Sequence, residues 1–200
     1  MKFLKNYVDK QKKKSFWAKL SDVLFILLIV GLLIPSTRTP IMVFLKKLTN
    51  FAPSVSVDDD YGKLNHTDYI YTIEGQNGKI YQLKDFSDKP ILLNFWATWC
   101  PPCIAEMPSI ERLEQEYGER VHFIFISNED QQTVQSFLYD HQYKFKSYKP
   151  LSSEPEKLSA TSLPTTYIIS KDGRIVVKKT GNKKWDSDGV KELLEELISD

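Results

Sequence analysis

Two hundred residues bound the chain to one domain plus shorter segments. Its 27 basic side chains against 26 acidic ones leave a formal charge of +1, which gives no footing for nucleic-acid binding. The charge is unevenly spread, and the only two cysteines, Cys100 and Cys103, stand two residues apart.

In chain order, Lys2, Lys5, Lys10, Lys12, Lys13, Lys14 and Lys19 crowd a basic tail at residues 1–16 and its margin. The apolar run Val23–Ile34 follows, without a charged or strongly hydrogen-bonding side chain. Alone it is shorter than the roughly 20 residues that span a bilayer, but residues 17–37 reach that length, with Trp17 and Lys19 suited to the interface. A cleaved leader competes with this reading, yet "IPSTRTP" offers no small-x-small cleavage site. A core helix fits poorly between a lysine tail and a polar stretch. An uncleaved anchor is the expectation, its N-terminus cytoplasmic and the remainder outside, because lysine excess stays inside. The bilayer is then a partner of the N-terminal helix. Residues 38–68 read as an interfacial segment (Ile41, Val43, Phe44, Leu45, Leu48 with Lys46 and Lys47) and a polar linker. Asn65-His66-Thr67 within it matches a glycosylation sequon.

From Tyr69 to Asp200 the pattern is that of a packed domain. "YIYTIEGQNGKIYQL" alternates around Asn77-Gly78 and predicts a hairpin. "PILLNFW" at residues 90–96 predicts a strand buried on both faces. Met107, Ile110, Leu113 and Tyr117 recur at helical spacing up to Gly118. "VHFIFIS" at 121–127 is a second interior strand, and Val134, Phe137, Leu138 and His141 mark one side of a helix. Residues 144–162 are less regular, with a short helix near 155–159. "TTYIIS", "KDG" and "RIVVKK" read as strand, turn, strand, and Val190, Leu193, Leu194 and Leu197 line the inner face of a closing helix. Strands alternating with helices, then a hairpin, imply an α/β sandwich on a mixed central sheet.

Three chemistries use a Cys-x-x-Cys pair. Structural zinc needs four ligands, and His66, His122 and His141 are scattered singly. Covalent haem attachment needs a histidine at position 104, which is Ile104. A purely structural disulfide would close a tiny loop, and stabilisation by loop closure grows with loop length. Redox chemistry remains, and it needs neither metal nor cofactor. Cys100 falls at a helix start, where free backbone N–H groups and the helix dipole stabilise a thiolate, which makes it the expected exposed nucleophile. Cys103, one turn in, resolves the mixed disulfide. Pro101 and Pro102 have no N–H to give, so the thiolate is weakly stabilised and the couple is expected to be reducing. Glu106, three residues after Cys103, lies within one turn of it; if buried, its pKa rises and it can relay the proton that Cys103 loses. Trp96 reads as core, while Trp99, Pro101 and Leu163 could shape an apolar docking surface.

"NFWATWCPPCIAEMP" followed by "SLPTTYIISKDGRIV" resembles the membrane-anchored thioredoxin-like proteins of the TlpA/ResA type, over residues 69–200. The resemblance implies a thioredoxin-like fold with an N-terminal β-hairpin extension behind a single transmembrane helix. It implies a cis Leu163–Pro164 bond beside the active disulfide, with Pro164 joining Trp99, Pro101 and Leu163 in the docking surface, and an acid at Glu106. It further implies a single-pass protein of the bacterial cytoplasmic membrane with its domain in the periplasm or outside. Its activity there would be reduction of disulfides in exported proteins such as apocytochrome c, with electrons from a membrane donor of the CcdA/DsbD kind. A peroxiredoxin-like peroxidase is the alternative enzyme, although Ala97 stands where that motif has its threonine. A redox-inert adaptor is the alternative outside catalysis, and it requires both cysteines to be dispensable.

Overall fold

The structure, a computed structural model, describes Asp22 and residues 61–200. Apart from Asp22, the expected basic tail, the anchor at 17–37 and residues 38–60 lie outside the described residues. Among the described residues no helix is long and apolar enough to cross a membrane.

The packed chain begins before residue 69. Lys63 bridges antiparallel to Arg174, and the Leu64 N–H donates to the Gly173 carbonyl at 2.9 Å while the Leu64 side chain is buried. Asn65 caps the short helix α1 (His66–Tyr69): its side chain accepts from the N–H groups of Thr67 and Asp68, and Asp68 accepts from the Asn65 N–H at 2.7 Å. Such reciprocal capping satisfies donors that a helix start otherwise leaves free. Residues 61–68 therefore belong to the domain rather than to a linker, because a buried leucine and paired backbone hold them there.

The expected hairpin is present as β1 (Thr72–Gly75) and β2 (Ile80–Gln82), paired antiparallel. Its turn differs from a two-residue Asn-Gly turn. Gly78 N–H donates to the Gly75 carbonyl and Gly75 N–H to the Lys79 carbonyl, both at 2.9 Å, and only Gly78 of the turn has positive φ, at 75°. That is a three-residue loop with a glycine in the left-handed region, the next most common hairpin solution.

β3 (Ile91–Phe95) is buried at all five positions. It pairs parallel with β4 (His122–Ile126) and antiparallel with β6 (Thr165–Ile169), which makes the sheet mixed. β5 (Ser147–Pro150) joins β4 in parallel and β1 antiparallel, and β7 (Ile175–Thr180) closes the far edge beside β6. The order across seven strands is β2-β1-β5-β4-β3-β6-β7. β5 falls in the stretch that reads as irregular, so the sequence pattern missed a strand there.

Alternation along β3 divides the core in two. Leu92 joins Phe123, Phe125 and Ile168 in a cluster with α2 (Pro101–Tyr117), α3 (Gln131–Asp140) and α4 (Asp188–Ser199). Ile91, Leu93 and Phe95 join Ile124, Ile126, Tyr167 and Ile169 in the other, which Leu64 and Tyr71 help to cover. α2 buries Met107, Ile110, Leu113 and Tyr117, and α4 buries Val190, Leu193, Leu194 and Leu197, as the spacing predicts. Arg112–Asp186, Arg120–Glu195 and Lys191–Glu116 pair at 2.8, 2.8 and 2.6 Å. They link α2 and the turn after it to the C-terminal segment, and at such exposure solvent screens them strongly.

Candidate active site

The site forms where β3 ends and α2 begins. After Phe95 the chain turns: Trp96 N–H donates to the Ile126 carbonyl at 2.9 Å and Cys100 N–H to the Ala97 carbonyl at 3.2 Å. The turn is braced by Glu129, whose carboxylate accepts from the Thr98 N–H at 2.7 Å and from the Thr98 hydroxyl at 2.6 Å. Trp96 is core, edge-on to Phe145, with its indole N–H on Ser147.

Cys100 is the N-cap of α2, and Cys103 is joined to it in a disulfide. Prolines occupy the first two helical positions, so the first N–H available to the cap is that of Cys103, and it points at the Cys100 sulfur at 3.3 Å. The sulfur thus meets one backbone donor where a helix start usually offers several. One expectation is corrected. Cys100 is only 3 % exposed and Cys103 1 %, so in the disulfide-bonded structure the sulfur expected at the surface is recessed. Cys100 instead lines a cleft of about 460 Å³ shared with Trp99, Pro101, Leu163, Glu129 and Glu154.

Of the expected docking residues, Trp99 is 69 % exposed at the rim, and Pro101 and Leu163 line the cleft with it. Pro164 does not line it. The Leu163–Pro164 peptide is cis; Pro164 is buried and its carbonyl accepts from the Gly181 N–H at 2.8 Å. Glu129 and Glu154 are carboxylates of the cleft that sequence reasoning did not single out.

Glu106 is buried, 1 % exposed, on the inner side of α2. Three donors from two parts of the chain converge on it. Asn94 of β3 donates its side-chain N–H to Oε1 at 2.9 Å; the Lys183 backbone N–H and the Trp185 indole N–H donate to Oε2 at 3.1 and 3.0 Å. Asn94 also donates to the Thr166 hydroxyl at 2.8 Å. Burial nevertheless outweighs these donors and pushes the Glu106 carboxyl up to about 7; desolvation penalises the charged form more than the hydrogen bonds favour it. The acid therefore holds or releases a proton near neutrality, the condition for general acid–base work. Trp185, Lys183 and Thr166 lie 60 or more positions away in sequence, and Trp185 stands in a polar run that reads as loop. No local signal could have found them. Among the described residues no cluster of three or more His, Cys, Asp or Glu side chains is arranged to hold a metal.

A disulfide at a helix N-terminus, a cis-proline loop whose Leu163 lines the same cleft, and a buried acid on that helix, all carried by a mixed sheet, define a thioredoxin-like thiol–disulfide oxidoreductase. Comparison with known proteins agrees. The Redoxin family model matches residues 47–195. Thiol-disulfide oxidoreductase ResA of Bacillus thuringiensis is 34 % identical over 131 residues, covering 64 % of this chain and 72 % of that protein. ResA of Halalkalibacterium halodurans is 30 % identical, covering 85 % of this chain and 89 % of its own. Among solved structures, a secreted Mycobacterium tuberculosis disulfide oxidoreductase homologous to E. coli DsbE superposes with a TM-score of 0.51 at 21 % identity, over 68 % of this chain and 99 % of that one. At that identity the likeness concerns the fold. The chain belongs to the Redoxin family and, within it, to the ResA/TlpA type of thiol–disulfide oxidoreductases.

Proposed function

We propose that this oxidoreductase works as a reductase of disulfides in proteins exported to the cell envelope, apocytochrome c among them. In this reading it is anchored by its N-terminal segment in the bacterial cytoplasmic membrane and recharged by a membrane donor of the CcdA/DsbD kind. The observation that carries the direction is the cap of α2. One backbone N–H on the Cys100 sulfur stabilises the thiolate little, and a weakly stabilised reduced form makes a reducing couple.

The steps follow from the positions of the groups. The Cys100 thiolate attacks one sulfur of a substrate disulfide lying in the cleft between Trp99, Pro101 and Leu163. A mixed disulfide forms and the first substrate thiolate leaves. Cys103 passes its proton to the Glu106 carboxylate and attacks the Cys100 sulfur. The second substrate thiolate leaves, both leaving thiolates take up protons, and the enzyme is left with the Cys100–Cys103 disulfide. Two electrons have moved from enzyme to substrate. The membrane donor returns them, and Glu106 gives its proton back.

The test is equilibration of the purified domain with glutathione buffers. A potential near thioredoxin's, about −270 mV, is expected, and one near the strong-oxidant value of about −120 mV overturns the direction. Cys103→Ser, which arrests the mixed disulfide on Cys100, is expected to capture envelope proteins that carry cysteine pairs; capture of cytoplasmic proteins alone rejects the location. Full-length protein released from membranes by alkaline extraction rejects the anchor.

A further inference from the structure

The loop between β7 and α4 does more than connect them. Trp185 is fully buried and makes two bonds to the same turn of α2. Its backbone N–H donates to the Ser109 hydroxyl at 3.1 Å, and its indole N–H donates to Glu106 Oε2 at 3.0 Å. The Ser109 hydroxyl in turn donates to the Glu106 carbonyl at 2.7 Å. Lys183, two residues earlier, gives its backbone N–H to the same carboxylate oxygen. The loop thus closes over the buried acid and fixes it by two donors, while β3 supplies the third through Asn94.

We propose that Trp185 is a positioning residue for the proton relay: its indole N–H holds the Glu106 carboxylate in place and in the charged form that accepts the Cys103 proton. The proposal rests on the reading of Glu106 as that acceptor. A buried indole needs only some acceptor, and a backbone carbonyl would serve. This one is aimed at the carboxylate of the residue one helical turn after Cys103. A donor to a carboxylate favours the ion, so the indole opposes the burial that would otherwise keep Glu106 protonated through the working range.

The groups on the Glu106 carboxylate are Asn94 from β3 and Lys183 and Trp185 from the loop, with Thr166 of β6 behind Asn94; Ser109 holds the Glu106 backbone carbonyl, and Cys103 precedes Glu106 by one turn of α2. Lys183 is the cation whose field acts on the carboxylate. Two substitutions separate charge from contact. Trp185→Phe keeps an aromatic ring and removes the donor. Lys183→Met removes the charge and keeps the backbone N–H.

The measurement follows the reduced full-length protein reacting with Ellman's reagent. Attack by Cys100 releases one coloured thiolate and leaves a mixed disulfide; resolution by Cys103 releases the second. The rate of the second release is recorded across pH. Trp185→Phe is expected to move the midpoint of that profile up by about one unit, a roughly tenfold slower resolution on its acid side, since a hydrogen bond to a charged group is worth about that much. Lys183→Met is expected to move it less. A Trp185→Phe profile scaled down uniformly with its midpoint in place overturns the proposal. If Glu106→Gln leaves the second release unchanged, the reading of Glu106 itself fails, and the two failures are told apart. Should Trp185→Phe not fold, the indole N–H resonance of Trp185 in the wild-type protein decides. It is expected to titrate with Glu106 and to lose that titration in Glu106→Gln; a flat trace in the wild type overturns the proposal.

Discussion

At the scale of single residues, Glu106 ties function to stability. Unfolded, its carboxyl titrates near 4.5; folded, burial moves it to about 7. Between those values the folded state holds a proton that the unfolded state has lost. Stability therefore falls as pH rises through this window, by about 3 kcal/mol in total, and levels off above it. Glu106→Gln removes the titration. Its side-chain oxygen can accept from Trp185 and Lys183, and Asn94 can turn its amide to accept from the new nitrogen, since the Thr166 hydroxyl donates or accepts. The expected outcome is a urea midpoint that declines less steeply between pH 5 and 7, the remainder belonging to Glu114, whose carboxyl burial also raises to about 7, together with slower resolution. A decline of unchanged slope in the variant assigns the pH dependence to another group. Sequence made the position of Glu106 legible, because a spacing of three on a helix is local. Its partners were not legible, because they meet it only once the sheet and the final loop have formed.

At the scale of elements, the strongest local signals held. The apolar runs became β3, β4 and β6, and the helical spacings became α2, α3 and α4. β5 escaped for a physical reason. Ser147-Tyr148-Lys149-Pro150 has neither an apolar run nor clean alternation, and its place between β4 and β1 is set by those neighbours. The Asn-Gly turn was placed correctly but its type was not, since the extra residue shows only in the backbone. The β6–β7 hairpin gives a sharper prediction. Gly173 has φ of 89°, and a Cβ there would lie 2.6 Å from the Tyr69 hydroxyl. Gly173→Ala meets both backbone strain and a clash, and the left-handed conformation alone costs about 1–3 kcal/mol for a residue with a side chain. Urea denaturation is expected to show a loss of at least that size with the glutathione potential unchanged. A loss under 0.5 kcal/mol rejects this account of the turn.

At the scale of the molecule, the domain is a mixed sheet whose two faces are closed differently. One carries three helices; the other is covered by shorter segments, among them Leu64, Tyr71, Leu83, Phe86 and Leu158. That second cover explains why a boundary at residue 69 fell short. A polar, aperiodic composition reads as a linker, and the one buried leucine in it shows only against the turn it packs on. Leu64→Ala is expected to destabilise the domain by about 2 kcal/mol, the low end for a buried leucine. A domain beginning at Tyr69 is expected to unfold at lower urea than one beginning at Tyr61. Equal midpoints for the two would return residues 61–68 to the linker.

The docking of Lys63 and Leu64 on Arg174 and Gly173 has a geometric consequence. β6 runs from Thr165, beside Phe95 and the start of the redox turn, to Ile169 at the hairpin bend. Chain entering at Tyr61 is therefore fastened at the pole remote from the sulfurs. The end of the sheet that carries the cleft is thus kept clear of residues 61–64, and a bulky protein substrate can dock there without meeting them.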